Sequence, residues 1–143
     1  VERFFSLEGD PFEEPEAAPE ISTTRGENPE HRWIVHRDLV DTHSSLEIVK
    51  DGGILHFDDI DLDVGRRAYE LYESVADDFT SARGRSSWTM RFARDGWSTR
   101  TETHTVLECS ETDFRVYATL DAYEGEERIF SREWSRTLPR DHL

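Results

Sequence analysis

Six histidines and 32 acidic side chains supply raw material for hydrolysis or metal binding, and their spacing decides which chemistry is open. A serine nucleophile on a strained strand-to-helix elbow needs Gly-x-Ser-x-Gly. None of the eight glycines frames a serine this way, and the nearest phrase, Gly84-Arg85-Ser86-Ser87, lacks the second glycine. The histidines (His31, His36, His43, His56, His104 and His142) show no His-x-x-x-His pair of the kind zinc peptidases place on a helix. Asp59, Asp61, Asp63 and Glu70 stand at positions one, three, five and twelve of a calcium loop. Position six is Val64 rather than the glycine the turn requires, and a strand with acids outside and Ile60 and Leu62 inside would read the same way. No residue is assigned as catalytic or metal-ligating, and no cofactor is expected.

The aromatic residues allow two readings. Trp33, Trp88, Trp97 and Trp134 either fill a core or line a pocket in a barrel mouth. In the pocket reading, a small apolar-ligand-binding barrel resembling calycins, the interior residues are Trp88, Phe92, Trp97 and Phe114.

These side chains must be positioned by strands. Arg32 to Val40 is rich in Trp, Ile, Val and Leu; Leu46 and Ile48 mark a second strand, with Asp51-Gly52-Gly53 as a tight reversal after it. Asp95-Gly96 supplies the positive φ angles of a two-residue hairpin. It sets Arg94 opposite Trp97, and Trp88, Met90 and Phe92 across from Thr103, Thr101 and Thr99. Phe114, Val116, Ala118, Leu120 and Ala122 alternate along a further strand, and Gly125 turns the chain into Arg128 to Thr137. Arg66 to Asp78 fits helical spacing through Ala68, Leu71, Tyr72 and Val75 and strand spacing through Tyr69, Leu71 and Val75. Its surroundings favour a strand, because one helix would interrupt a continuous meander. The expected fold is all-β: a single antiparallel meander of about seven or eight strands, curled into a barrel or folded as a sandwich.

Length and charge bound the rest. A chain of 143 residues makes one domain, and its 35% hydrophobic share supports one thin core. Residues 1–30 carry four of the five prolines and nine acids against Arg3 and Arg25, so they read as an acidic arm or linker ahead of a β-domain at 31–143. Phe4, Phe5, Leu7 and Phe12 are unusual for a pure linker and suit a groove in this domain or a neighbour. The formal net charge of −15 argues against nucleic acid and anionic membranes as partners. Lys50 is the only lysine among 17 basic residues. Such a surface suits a high-salt cytoplasm, and a GC-rich genome would write the same residues. A lone Cys109 excludes an internal disulfide, which permits a reducing cytoplasm. A start at Val1, with Met90 the only methionine, suggests a piece of a longer chain.

Six short phrases carry a resemblance. Asp121-Ala122-Tyr123-Glu124-Gly125, Phe130-Ser131-Arg132-Glu133-Trp134 and Pro139-Arg140-Asp141 resemble the extreme C-terminal end of acyl hydrolases of the X-Pro dipeptidyl-peptidase and CocE/NonD family. Trp33-x-Val35-x-Arg37-Asp38-Leu39, Ser81-Ala82-Arg83 and Trp97-x-Thr99-x-Thr101-Glu102-Thr103 look similar to the same region. The resemblance covers about His31 to Leu143 and includes no catalytic motif. It implies a non-catalytic accessory β-domain whose partner is the catalytic α/β-hydrolase domain of a parent chain, and it favours a strand at Arg66 to Val75.

Overall fold

The computed structural model describes residues 17–141. Eight antiparallel strands form one sheet: β1 (Thr23–Arg25), β2 (Glu30–Arg37), β3 (His43–Phe57), β4 (Leu62–Val75), β5 (Asp78–Arg94), β6 (Trp97–Cys109), β7 (Asp113–Glu124) and β8 (Glu127–Pro139). From β3 to β8 each strand pairs with the next in sequence, while β1 and β2 lie end to end along the free side of β3. The expected all-β meander is therefore present, and Arg66 to Val75 is strand. The sheet is not closed, because β8 pairs only with β7. A single 3-10 turn, Asp58–Ile60, joins β3 to β4. No helix of the described residues is long and apolar enough to cross a membrane.

The Asp95-Gly96 turn sets the register the sequence dictates. Arg94 faces Trp97, and Trp88, Met90 and Phe92 face Thr103, Thr101 and Thr99. Gly96 takes φ +70°, which an L side chain adopts only at a cost.

Two expectations are corrected. Asp51-Gly52-Gly53 is not a reversal: β3 runs through it, with a register shift against β4 between Asp51 and Ile54. Gly52 and Gly53 face the single residue Arg66, which makes this a β-bulge, and Gly53 sits at φ +67°. The strand expected over Arg32 to Val40 ends at Arg37. There the Asp38 carboxylate accepts the Val40 and Asp41 N–H groups at 2.7 and 3.0 Å, turning the chain and leaving Leu39 and Val40 exposed. Within 1–30, Thr23–Arg25 adds a short edge strand and Glu30 opens β2. Phe4, Phe5, Leu7, Phe12 and His142 lie outside the described residues.

Strand alternation splits the side chains between two faces. One face carries Trp33, Leu46, Ile48, Trp88, Leu120 and Trp134, which fall in register across the sheet with Phe92, Val116, Ala118 and Phe130. The other carries mainly Arg, Glu, Ser, Thr and Tyr. Burial is thin: among the described residues, Ile48, Val49 and Ala68 are the buried hydrophobic side chains and Glu70 the buried charged one. The main element contacts run between hydrogen-bonded neighbours. Much of the apolar face consequently remains open, with Trp33 66% exposed, Leu107 44% and Phe130 47%.

Candidate functional site

The apolar face is the molecule's most unusual surface. Its large exposed side chains are Trp33, Val35, Tyr72, Trp88, Met90, Trp97, Leu107, Phe130 and Leu138, four of them aromatic residues other than Tyr. Exposed aromatic and aliphatic side chains gathered on one face of a sheet mark a surface suited to packing against a partner.

A polar cluster is set into this face. Lys50 and Glu70 lie on neighbouring strands one register step apart, so their side chains meet diagonally. The Lys50 ammonium donates to Glu70 Oε1 at 3.2 Å, and Tyr72 donates its hydroxyl to Glu70 Oε2 at 3.0 Å. Trp33, on the edge strand β2, places its ring 5.7 Å from Lys50 Nζ, within reach of a cation–π interaction. Both oxygens of the buried carboxylate are thus engaged, which offsets its removal from water. The Tyr72 phenol is held above the usual tyrosine range, first by donating to Glu70, then by burial and the carboxylate's charge.

The four side chains of the ligand-binding reading share the apolar face and extend along its length. Trp88, Phe92 and Trp97 flank the β5–β6 hairpin. Phe114 pairs with Cys109, ten residues along β6 from Thr99, the partner of Phe92; at strand rise that is about 33 Å. Trp97 and Phe114 therefore stand at opposite ends of the sheet.

On the polar face, Ser87 Oγ lies 2.7 Å from His104 Nδ1 across the β5–β6 pair. They line a shallow hollow of about 250 Å³ with Glu102 and Asp121. Those carboxylates are committed elsewhere, Glu102 to Arg100 at 2.7 Å and Asp121 to Arg128 at 3.4 Å. Both β5 and β6 are paired along two sides, so ladder bonds occupy the backbone N–H groups an oxyanion would need. A serine–histidine hydrogen bond is present without the orienting carboxylate and oxyanion donors of a hydrolase triad. His36 lies on β2, with β3, β4 and β5 between it and β6, so it does not converge with His104.

The acids of the calcium-loop spacing also separate. Asp63 accepts from His56 Nδ1 at 2.8 Å, while Glu70 is on the apolar face with Lys50. His56 Nε2 lies 3.8 Å from both Asp58 and Asp61. The hydrogen bond to Asp63, followed by the charges of the aspartates, raises the His56 pKa above its ordinary value. Asp58 in turn accepts hydroxyls from Ser22 and Thr24, binding β1 to the β3–β4 connection. No family model, curated protein or solved structure matches the chain.

Proposed function

We propose that this chain is a non-catalytic β-domain of an ester or amide hydrolase of the CocE/NonD or X-Pro dipeptidyl-peptidase type. Its apolar face packs on the catalytic α/β-hydrolase domain of the parent chain. The observation that carries this reading is the apolar face, on which Trp33, Val35, Leu107, Phe130 and Leu138 stand exposed on one side of a single sheet. The resemblance of the β6, β7 and β8 segments to the C-terminal region of those enzymes supports the same assignment, and a domain of this kind shapes the substrate entrance from outside the triad. The net charge of −15 disfavours nucleic acid as the occupant of that face.

Two observations test the proposal together. The upstream coding sequence is expected to contain a Gly-x-Ser-x-Gly elbow, and the isolated chain to leave a p-nitrophenyl ester unhydrolysed. Ester hydrolysis that co-purifies with the isolated chain and disappears in Ser87→Ala would overturn it, as would an upstream sequence without a hydrolase domain.

A further inference from the structure

The arginines divide between the faces in a way that specifies what covers the apolar one. On the polar face, Arg32 pairs with Glu47 at 2.8 Å, Arg67 with Asp51 at 3.5 Å and Arg83 with Glu108 at 3.1 Å. Arg85 pairs with Glu73, and Arg100 and Arg128 with the carboxylates described above. Only Arg91 and Arg115 on that face lack an ion pair among the described residues.

The apolar face is the reverse. Arg25, Arg37, Arg66, Arg94, Arg132 and Arg136 project from it by register, and none has an ion-paired carboxylate among the described residues. Arg94 and Arg132 lie against the rings of Trp97 and Trp134, at 5.6 and 5.0 Å. A guanidinium held on a ring retains edge N–H groups for a carboxylate. The acids of this face are Glu70, already bonded to Lys50 and Tyr72, and Glu124 and Glu127 beside the β7–β8 turn. Among the described residues, the apolar face of a chain with 32 acids and 17 basic residues is thus predominantly basic.

We infer that the surface docking on this face is itself acidic, with carboxylates placed to meet Arg66, Arg132 and the free donors of Lys50. This rests on the proposed docking: the occupant is an apolar surface of the catalytic domain ringed by Asp and Glu. Covering an arginine without a counter-charge costs desolvation energy that nothing returns. A second copy placed face to face would set arginine against arginine, so it is the poorer occupant.

The single lysine provides the readout: within these 143 residues acetylation of a lysine side chain occurs at Lys50 alone, and mass spectrometry of the Lys50 peptide follows it in both the isolated chain and the parent polypeptide. Lys50 in the intact parent polypeptide is expected to acetylate at least about tenfold more slowly than in the isolated chain, the factor that about 1.4 kcal/mol of docking would produce. Arg66→Glu should restore most of the rate, and Arg66→Gln much less. Equal rates in the intact and isolated chains, or equal effects of the two variants, would overturn the acidic assignment. If tryptophans of the face are shielded while Lys50 reacts freely, the docking reading stands and this inference fails. If neither is shielded, the docking reading itself is lost. Protection already present in the isolated chain would identify its own N-terminal segment, or a second copy if it grows with concentration, and would likewise overturn the assignment.

Discussion

Replacing Gly53 with alanine tests how the bulge holds the edge of the sheet. Gly53 and Gly96 have nearly the same φ, +67° and +70°, so the positive φ costs alanine about 1–2 kcal/mol at either. Their surroundings differ. A Cβ on Gly96 meets nothing within 4 Å, whereas one on Gly53 would lie 2.2 Å from the Glu27 carbonyl oxygen and 3.1 Å from the Asn28 carbonyl carbon. These are backbone atoms, held by the Gly26 and Glu27 N–H groups donating to the Ile54 carbonyl at 2.9 and 3.4 Å. Relief requires the segment after β1 to move, losing those bonds and straining the Thr24–Asp58 contact at 3.2 Å. At about 1 kcal/mol per bond, Gly53→Ala should cost roughly 3–4 kcal/mol in all, about twice the Gly96→Ala penalty. Urea unfolding gives the difference, and hydrogen exchange at Gly26 and Asp58 localises it. Equal losses in the two variants would refute the close approach of Glu27 to the bulge.

Three further outcomes follow from the ionisable groups. Glu70→Gln should lower the Tyr72 phenol pKa towards the usual tyrosine value, since the hydrogen bond and the charge that hold it up both weaken; absorbance titration of the phenolate would read this, and an unmoved transition would contradict the cluster. His56 titrates above its ordinary value when folded, so its stabilising contribution is complete below about pH 6.5 and fades as pH rises through the higher folded value. Asp63→Asn should flatten that part of the stability profile, and an unchanged profile would exclude the pair as its source. Asp38 and Asp78 are held below the usual carboxylate range, Asp38 by the Asp41 and Val40 N–H groups and Asp78 by the Thr80 hydroxyl and N–H. Their contribution is present above about pH 4 and is lost as pH falls through the lower folded values; Asp38→Asn with Asp78→Asn should remove that part of the acid sensitivity in denaturant melts.

The hairpin at Asp95-Gly96 was legible because two residues with positive-φ preference fix a turn and the turn fixes every pair beyond it. That register already places Ser87 opposite His104, so their hydrogen bond was within reach of the sequence. The bulge was not, because Gly-Gly serves a turn and a bulge equally well and only pairing with Arg66 distinguishes them. Arg66 to Val75 was ambiguous because Ala68 and Tyr72 face one side of the sheet while Leu71 and Val75 face the other, which blurs period two. The Lys50–Glu70–Tyr72 cluster depends on the β3–β4 register, which the bulge shifts, and the one available signal was the presence of a single lysine. The separation of paired and unpaired arginines is likewise a property of the faces, visible only once every strand has a register.

Covalent footprinting with a carbene probe, comparing the isolated chain with the intact parent polypeptide, reads out directly whether the apolar face is the docking surface. Trp33, Trp88, Leu107 and Phe130 should label several-fold less in the intact polypeptide, while Tyr69 and Tyr117 on the polar face label equally in both. Equal labelling of the apolar face in the two samples, or protection confined to the polar face, would contradict the assignment of the open face as the docking surface.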